Sequence, residues 1–168
     1  IDLLPTMQSL EPVSGNAQSA AVTTAFGAPM VVRALDGTTP VPGVIVLWSV
    51  QTGRGTLSAL ADTTDANGLA SVSVTADTLA GLLAVDAAAE GFTVGFSHNV
   101  LAGAATSMLI LDGNAQTAVA GTALPVSPAV RLRDQYANPV AGVAVTFAVT
   151  SGGGSIGGSA EQFTNSTG

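Results

Sequence analysis

The chain has 168 residues with 47% hydrophobic content, yet only 9% of its residues are charged, against about 25% in ordinary globular chains. Lys+Arg total 4 and Asp+Glu total 11, a formal charge of −7 with no lysine, which excludes a nucleic-acid binder that neutralises phosphates and argues against an anionic membrane surface as partner. The apolar content excludes a disordered acidic chain, and the lack of cysteine excludes a disulfide framework, a thiol nucleophile and a Cys-ligated metal.

Residues 1–6 form an N-terminal tail that lacks both an initial Met and the basic flank of a signal peptide. A processed chain or a fragment is therefore expected, and export is plausible without a retained signal. No run of about 18 apolar residues spans a membrane. The next clear element alternates Val44, Val46, Trp48 and Val50 with Ile45, Leu47 and Ser49, the period-two pattern of a half-buried strand. Asp65-Ala66-Asn67-Gly68 carries an Asn-Gly turn signal, followed by a second strand over residues 69–75. The Ala- and Leu-rich stretch 78–89 resembles a helix in composition, but Gly81 and the regular spacing favour a strand. Val94, Phe96, His98 and Val100 make a last alternating strand, and Pro and Gly at 40, 42, 43, 53 and 55 leave no room for a long helix.

The chain then repeats itself. Gly15-Asn16-Ala17-Gln18 recurs at Gly113-Asn114-Ala115-Gln116, and Val32 to Asp36 matches Val130 to Asp134, both at an offset of 98. Pro40-Val41-Pro42-Gly43-Val44 matches Pro139-Val140-Ala141-Gly142-Val143 at 99, Trp48 falls on Phe147, and Thr64 and Gly68 fall on Thr164 and Gly168 at 100. The drift is two single-residue insertions in loops. Residues 7–103 therefore form one domain and residues 104–168 a second that lacks the counterpart of residues 69–102. Continuation past Gly168 is the favoured explanation; proteolysis and completion by a strand from another chain are the others. The expected architecture is all-β: tandem antiparallel sandwiches, the second incomplete.

Together these motifs resemble the group 1 bacterial immunoglobulin-like domain, repeated in invasin- and intimin-type proteins. The resemblance covers the first repeat and what is present of the second. It implies immunoglobulin-like sandwiches on the cell surface or in the periplasm, acting as spacers or adhesive stalks rather than enzymes. No receptor-binding role carries over, because no terminal lectin-like domain is present. The alternative is an accessory structural subunit docked on the periplasmic or outer face of a membrane complex, through Ile45, Leu47 and residues 1–4. Either way the partners are other protein chains, whether neighbouring immunoglobulin-like domains or a membrane-complex subunit.

Other chemistry is weak. Gly153-Gly154-Ser155-Ile156-Gly157 spells a nucleophile elbow, but no helix follows and the only histidine, His98, lies upstream. The overlapping G-x-G-x-x-G also lacks its helix. Asp62, Asp65 and Asn67 suggest calcium less than a capped turn. His98, without a second His or Cys, is expected as a hydrogen-bonded imidazole at a core edge rather than a metal ligand. Asn165-Ser166-Thr167 is a short sequon, and Trp48 and Phe147 are expected core aromatics. No catalytic, cofactor-binding or metal residue is expected. Ile45 and Leu47 stand out: they lie opposite Trp48, where the second copy has Ala144 and Thr146, and are expected as an exposed protein contact.

Overall fold

The computed structural model describes residues 6–168, all in strands, turns and irregular loops. The expected contact role of residues 1–4 lies outside the described residues. The chain parts between Leu101 and Ala102 into two compact units.

In unit 1 the strands are β1 (Ser9–Ser14), β2 (Ser19–Ala21), β3 (Met30–Asp36), β4 (Thr39–Pro40), β5 (Ile45–Thr52), β6 (Gly55–Leu57), β7 (Ala61–Thr63), β8 (Leu69–Val72), β9 (Val74–Ala76), β10 (Gly81–Ala89) and β11 (Phe92–Leu101). One sheet sets β1 and β8 antiparallel on either side of β3, with β4 on the end of β3. The other runs β2-β11-β10-β5-β7, with β2 parallel to β11. Alternation decides the inner faces. Val32 and Ala34 of β3 and Val72 of β8 meet Val46 and Trp48 of β5, Val85 and Ala87 of β10 and Phe96 of β11 in one core. The Trp48 and Phe96 rings lie 5.9 Å apart at 41°, a tilted aromatic pair.

Two local devices set the ends of these strands. Glu90 and Gly91 both have positive φ, 47° and 90°, the type I′ geometry that matches strand twist in a two-residue hairpin and joins β10 to β11. The strand expected over residues 69–75 is divided at Ser73. It leaves β3 after Val72 and pairs with β6 from Val74, while the Ser73 amide donates to Ser58 Oγ at 3.1 Å.

The Asp65 turn forms as expected. Asp65 Oδ1 accepts the Asn67 and Leu69 amides at 2.8 and 2.9 Å. These amides, Leu69 foremost, hold its carboxyl below the usual range. Gly68 closes the turn at φ 72°. Its carbonyl accepts the Ala34 amide at 2.8 Å, and a Cβ there would stand 2.6 Å from the Ala34 oxygen.

His98 departs from its expected place. It sits inside the core, 2% exposed, rather than at the edge. Alternation along β11 points it inward with Val94, Phe96 and Val100, toward Met30 and Phe26. Its Nε2 lies 3.2 Å from Met30 Sδ, and its ring centroid is 4.8 Å from that of Phe26. Its Nδ1 has no partner among the described residues. Burial lowers its pKa from 6.5, because the apolar surroundings disfavour the imidazolium.

Unit 2 contains β12 (Ser107–Asp112), β13 (Ala129–Arg133), β14 (Ala144–Thr146) and β15 (Glu161–Phe163), paired as β12 with β13 and β14 with β15. It repeats two hydrogen-bonded devices of unit 1 at matching positions. Thr64 Oγ1 receives the Val44 amide and donates to the Val41 carbonyl; Thr164 Oγ1 receives the Val143 amide and donates to the Val140 carbonyl. Gln18 Nε2 donates to the Gly15 and Ala28 carbonyls, and Gln116 Nε2 to those of Gly113 and Val126. One position gains a role. Asp134, whose counterpart Asp36 is outside the core, is 3% exposed. Burial pushes its carboxyl up, but Asn138 Nδ2 and the Gly103, Asn138 and Tyr136 amides outweigh this and hold it below the usual range.

The strand expected over Val143 to Val149 is shorter. Only Ala144–Thr146 is a strand, Phe147 is half-buried beside Leu132, Val140 and Val145, and Val149 is exposed. The reason is ladder partnership. In unit 1, β7 pairs only the first half of β5, up to Leu47, and β10 pairs Leu47 to Thr52. Unit 2 has the β7 counterpart, β15, but its described residues include no counterpart of β10. Only the half with a partner is a strand.

Replacing Gly68 with Ala should destabilise unit 1 by about 2 kcal/mol or more, through positive-φ strain and the Ala34 contact; thermal unfolding measures it, and a loss of a few tenths would contradict it. A second expectation concerns pH. The folded pKa of His98 lies below its unfolded value of 6.5, so the stability that depends on neutral imidazole is complete above that value and falls as pH drops below it. Melting temperatures of the wild type should decline between about pH 7 and 5 more steeply than those of His98→Leu; equal slopes would exclude the buried histidine as the cause.

Candidate contact face

The outer face of β5 is fixed by its inner one. Val46 and Trp48 are buried at 0% and 2%, so Ile45 and Leu47 between and before them face solvent, exposed by 62% and 57%. Leu47 pairs with Ala61 on β7 and Ala88 on β10. These small neighbours leave the leucine standing above the sheet. Ile45 pairs with Thr63. Leu60, 73% exposed, ends the loop into β7, where its carbonyl accepts the Trp48 amide at 2.9 Å.

The carboxylate of Asp62, opposite Val46 on β7, is already engaged. Asp62 Oδ1 and Oδ2 accept the Thr63 and Ser71 amides at 2.9 and 2.7 Å. The face thus offers aliphatic area, with the Asp86 carboxylate of β10 on the same side opposite Ser49. Its available chemistry is burial against another surface, at about 1.5–3 kcal/mol per large aliphatic side chain covered.

The other sequence candidates assemble no site in their own surroundings. Ser155 lies exposed in the irregular loop between β14 and β15, with no helix after it. The oxygens of Asp65 and Asn165 are engaged within their own turns, Asn165 Oδ1 accepting from both the amide and the hydroxyl of Thr167. Among the described residues no three His, Asp or Glu side chains gather as a metal site, and no helix is long and apolar enough to cross a membrane.

Two exposed features escaped the sequence reading. Opposite Ala144, the counterpart of Ile45, stands Phe163, 68% exposed. Bulk lost on one strand is regained on its neighbour, where unit 1 has Thr63. In β12, Met108, Leu109, Ile110 and Leu111 are all exposed by 45–66%. The corresponding residues of β1 include Glu11 and Pro12, residues that discourage edge pairing. Residue-by-residue comparison of the two copies, beyond their shared motifs, carries both signals.

No protein-family model matches the chain, and no curated protein matches it in sequence. Solved structures do match. InvD of Yersinia pseudotuberculosis is 15% identical, with a TM-score of 0.52 over 93% of this chain and 52% of that one. The Escherichia coli adhesin FdeC is 17% identical, with a TM-score of 0.50 over 85% and 47%. The D0-D1 domains of intimin are 22% identical, with a TM-score of 0.43 over 96% and 80%. The chain spans about half the length of the InvD and FdeC chains. Its fold is all-β and immunoglobulin-like, similar to that of InvD and FdeC.

Proposed function

We infer that the chain is a non-enzymatic, extracytoplasmic structural module: a spacer or stalk segment of a bacterial surface protein, built from one immunoglobulin-like domain over residues 7–103 and part of another over 104–168. The observation that carries this reading is the reuse of one hydrogen-bonded framework twice in tandem, down to Thr64 and Thr164 and Gln18 and Gln116. Repetition of one unit extends a chain without adding new chemistry. The likeness in fold to FdeC, named as an adhesin, supports an adhesive surface setting. Ile45 and Leu47, exposed on the outer face of β5, are proposed as the contact with a neighbouring protein chain, such as another immunoglobulin-like domain.

Location is tested by protease added to the native bacterium. Cleavage on intact cells, or once the outer membrane alone is permeabilised, is expected; protection until the cytoplasmic membrane is broken would overturn the reading. The contact is tested by sedimentation of the full chain. Its sedimentation coefficient should rise with concentration, and Ile45→Asp/Leu47→Asp should abolish that rise while shifting the unit 1 melting free energy by no more than about 0.5 kcal/mol. A wild-type chain that stays monomeric at every concentration would remove the proposed contact.

A further inference from the structure

In unit 1, β8 is an edge strand: β3 pairs with it on one side, and among the described residues no strand pairs with it on the other. The other edges of this unit carry their own protection against a further strand. β1 has Glu11, Pro12 and a register shift between Pro12 and Ser14, while β2, β4, β6, β7 and β9 are two or three residues long. Residues 69–74, Leu-Ala-Ser-Val-Ser-Val, have no charge, proline or glycine. That composition favours the addition of another strand.

Yet the outward amides of this edge are taken, each by a side-chain oxygen. Leu69 donates to Asp65 Oδ1 at 2.9 Å, Ser71 to Asp62 Oδ2 at 2.7 Å and Ser73 to Ser58 Oγ at 3.1 Å. The Leu69 and Ser73 carbonyls are taken by the same residues, accepting the Asp65 and Ser58 amides at 2.9 Å each. Asp62 holds the middle of the row. It is half-buried on β7, a strand of the other sheet, opposite Val46. Its Oδ1 accepts the Thr63 amide at 2.9 Å, which fixes the carboxylate across the gap between the two sheet edges. A strand in this place would pass the ladder on to the next chain. Side chains fill the same amides and end it.

We propose that Ser58, Asp62 and Asp65 guard unit 1 against edge-to-edge pairing, with Asp62 closing the edge, and that the partner they exclude is β8 of a second copy. Two copies of this edge are complementary to each other: laid antiparallel, each offers the other the same outward amides and carbonyls and the same uncharged residues. A chain of repeated units needs such a guard, because like strands are held at high effective concentration and misassembly between units is the characteristic failure of repeats. The guard is independent of the contact role proposed for Ile45 and Leu47, which concerns the outer face of the other sheet.

The test uses the full chain carrying Ile45→Asp/Leu47→Asp, so that the β5 face takes no part, and follows amide exchange and sedimentation as concentration rises. With Asp62 in place, the Ser71 amide should exchange slowly at every concentration. Asp62→Ala should speed its exchange by about tenfold or more in dilute solution, through loss of a hydrogen bond to a charged acceptor. As concentration rises, protection should return at residues 69–73 together with a dimer. Asp62→Asn, which keeps an acceptor, should behave as the parent chain does. Ser58→Ala, an exposed change that leaves the Ser58 amide in place, should give the same response at Ser73 to a smaller degree, and it carries the test if Asp62→Ala does not fold. Exchange at Ser71 as slow without Asp62 as with it, association that leaves residues 69–73 unprotected, or opened amides that stay fast at every concentration would overturn the proposal.

Discussion

The constraint on which the rest depends is that a β-strand exists only where its backbone has a ladder partner and its inner side chains a facing layer. In unit 1 both conditions hold along all of β5. The β7 ladder takes its first half and the β10 ladder its second, and the Val46–Trp48 face meets Val32 and Val72 across the core. The β10–β11 hairpin is therefore the closing piece. It supplies Leu83, Val85, Ala87, Val94, Phe96, His98 and Val100 to the interior, and it is itself held by the Asn16–Gln18 turn. The described residues of unit 2 include no counterpart of that piece, and β14 is three residues long where β5 has eight.

The scarcity of charge follows from this architecture. Nearly every second residue of β3, β5, β10 and β11 points into one core, so polar residues have only the outer faces and turns. There the acids are used mostly as turn devices, Asp65 and Asp134 accepting amides rather than meeting ligands. The apolar residues that remain outside gather at particular places: Ile45, Leu47 and Leu60 on unit 1, and Phe163 and residues 108–111 on unit 2. These positions are where another chain would find area to bury, and they underlie the contact role proposed for β5.

Much of the fold was legible because alternation and turn chemistry are local. Trp48 fixed the inward parity of β5 and thereby the outward parity of Ile45 and Leu47. Asn67-Gly68 marked its turn, and the paired motifs revealed the repeat. What was not legible depends on distant partners. The division at Ser73 requires knowing that β6 is available to take over from β3. The length of β14 requires knowing which neighbour covers Phe147. The depth of His98 depends on Met30 and Phe26, 68 and 72 residues away in sequence. For the contact face, the exposure of two aliphatic residues was written in the strand period. The compensation by Phe163 was not, because it appears only when the β14–β15 register is known.

Amide hydrogen exchange tests this account most directly, since it reads ladder partnership residue by residue. The account predicts slow exchange for ladder amides along the whole of β5, from Val46 through Val50, and protection in β14 and at Phe147, whose amide donates to the Ala160 carbonyl. Exchange at Ser49 and Val50 as fast as in the loops, with Val46 still protected, would contradict the claim that the β10–β11 hairpin closes unit 1.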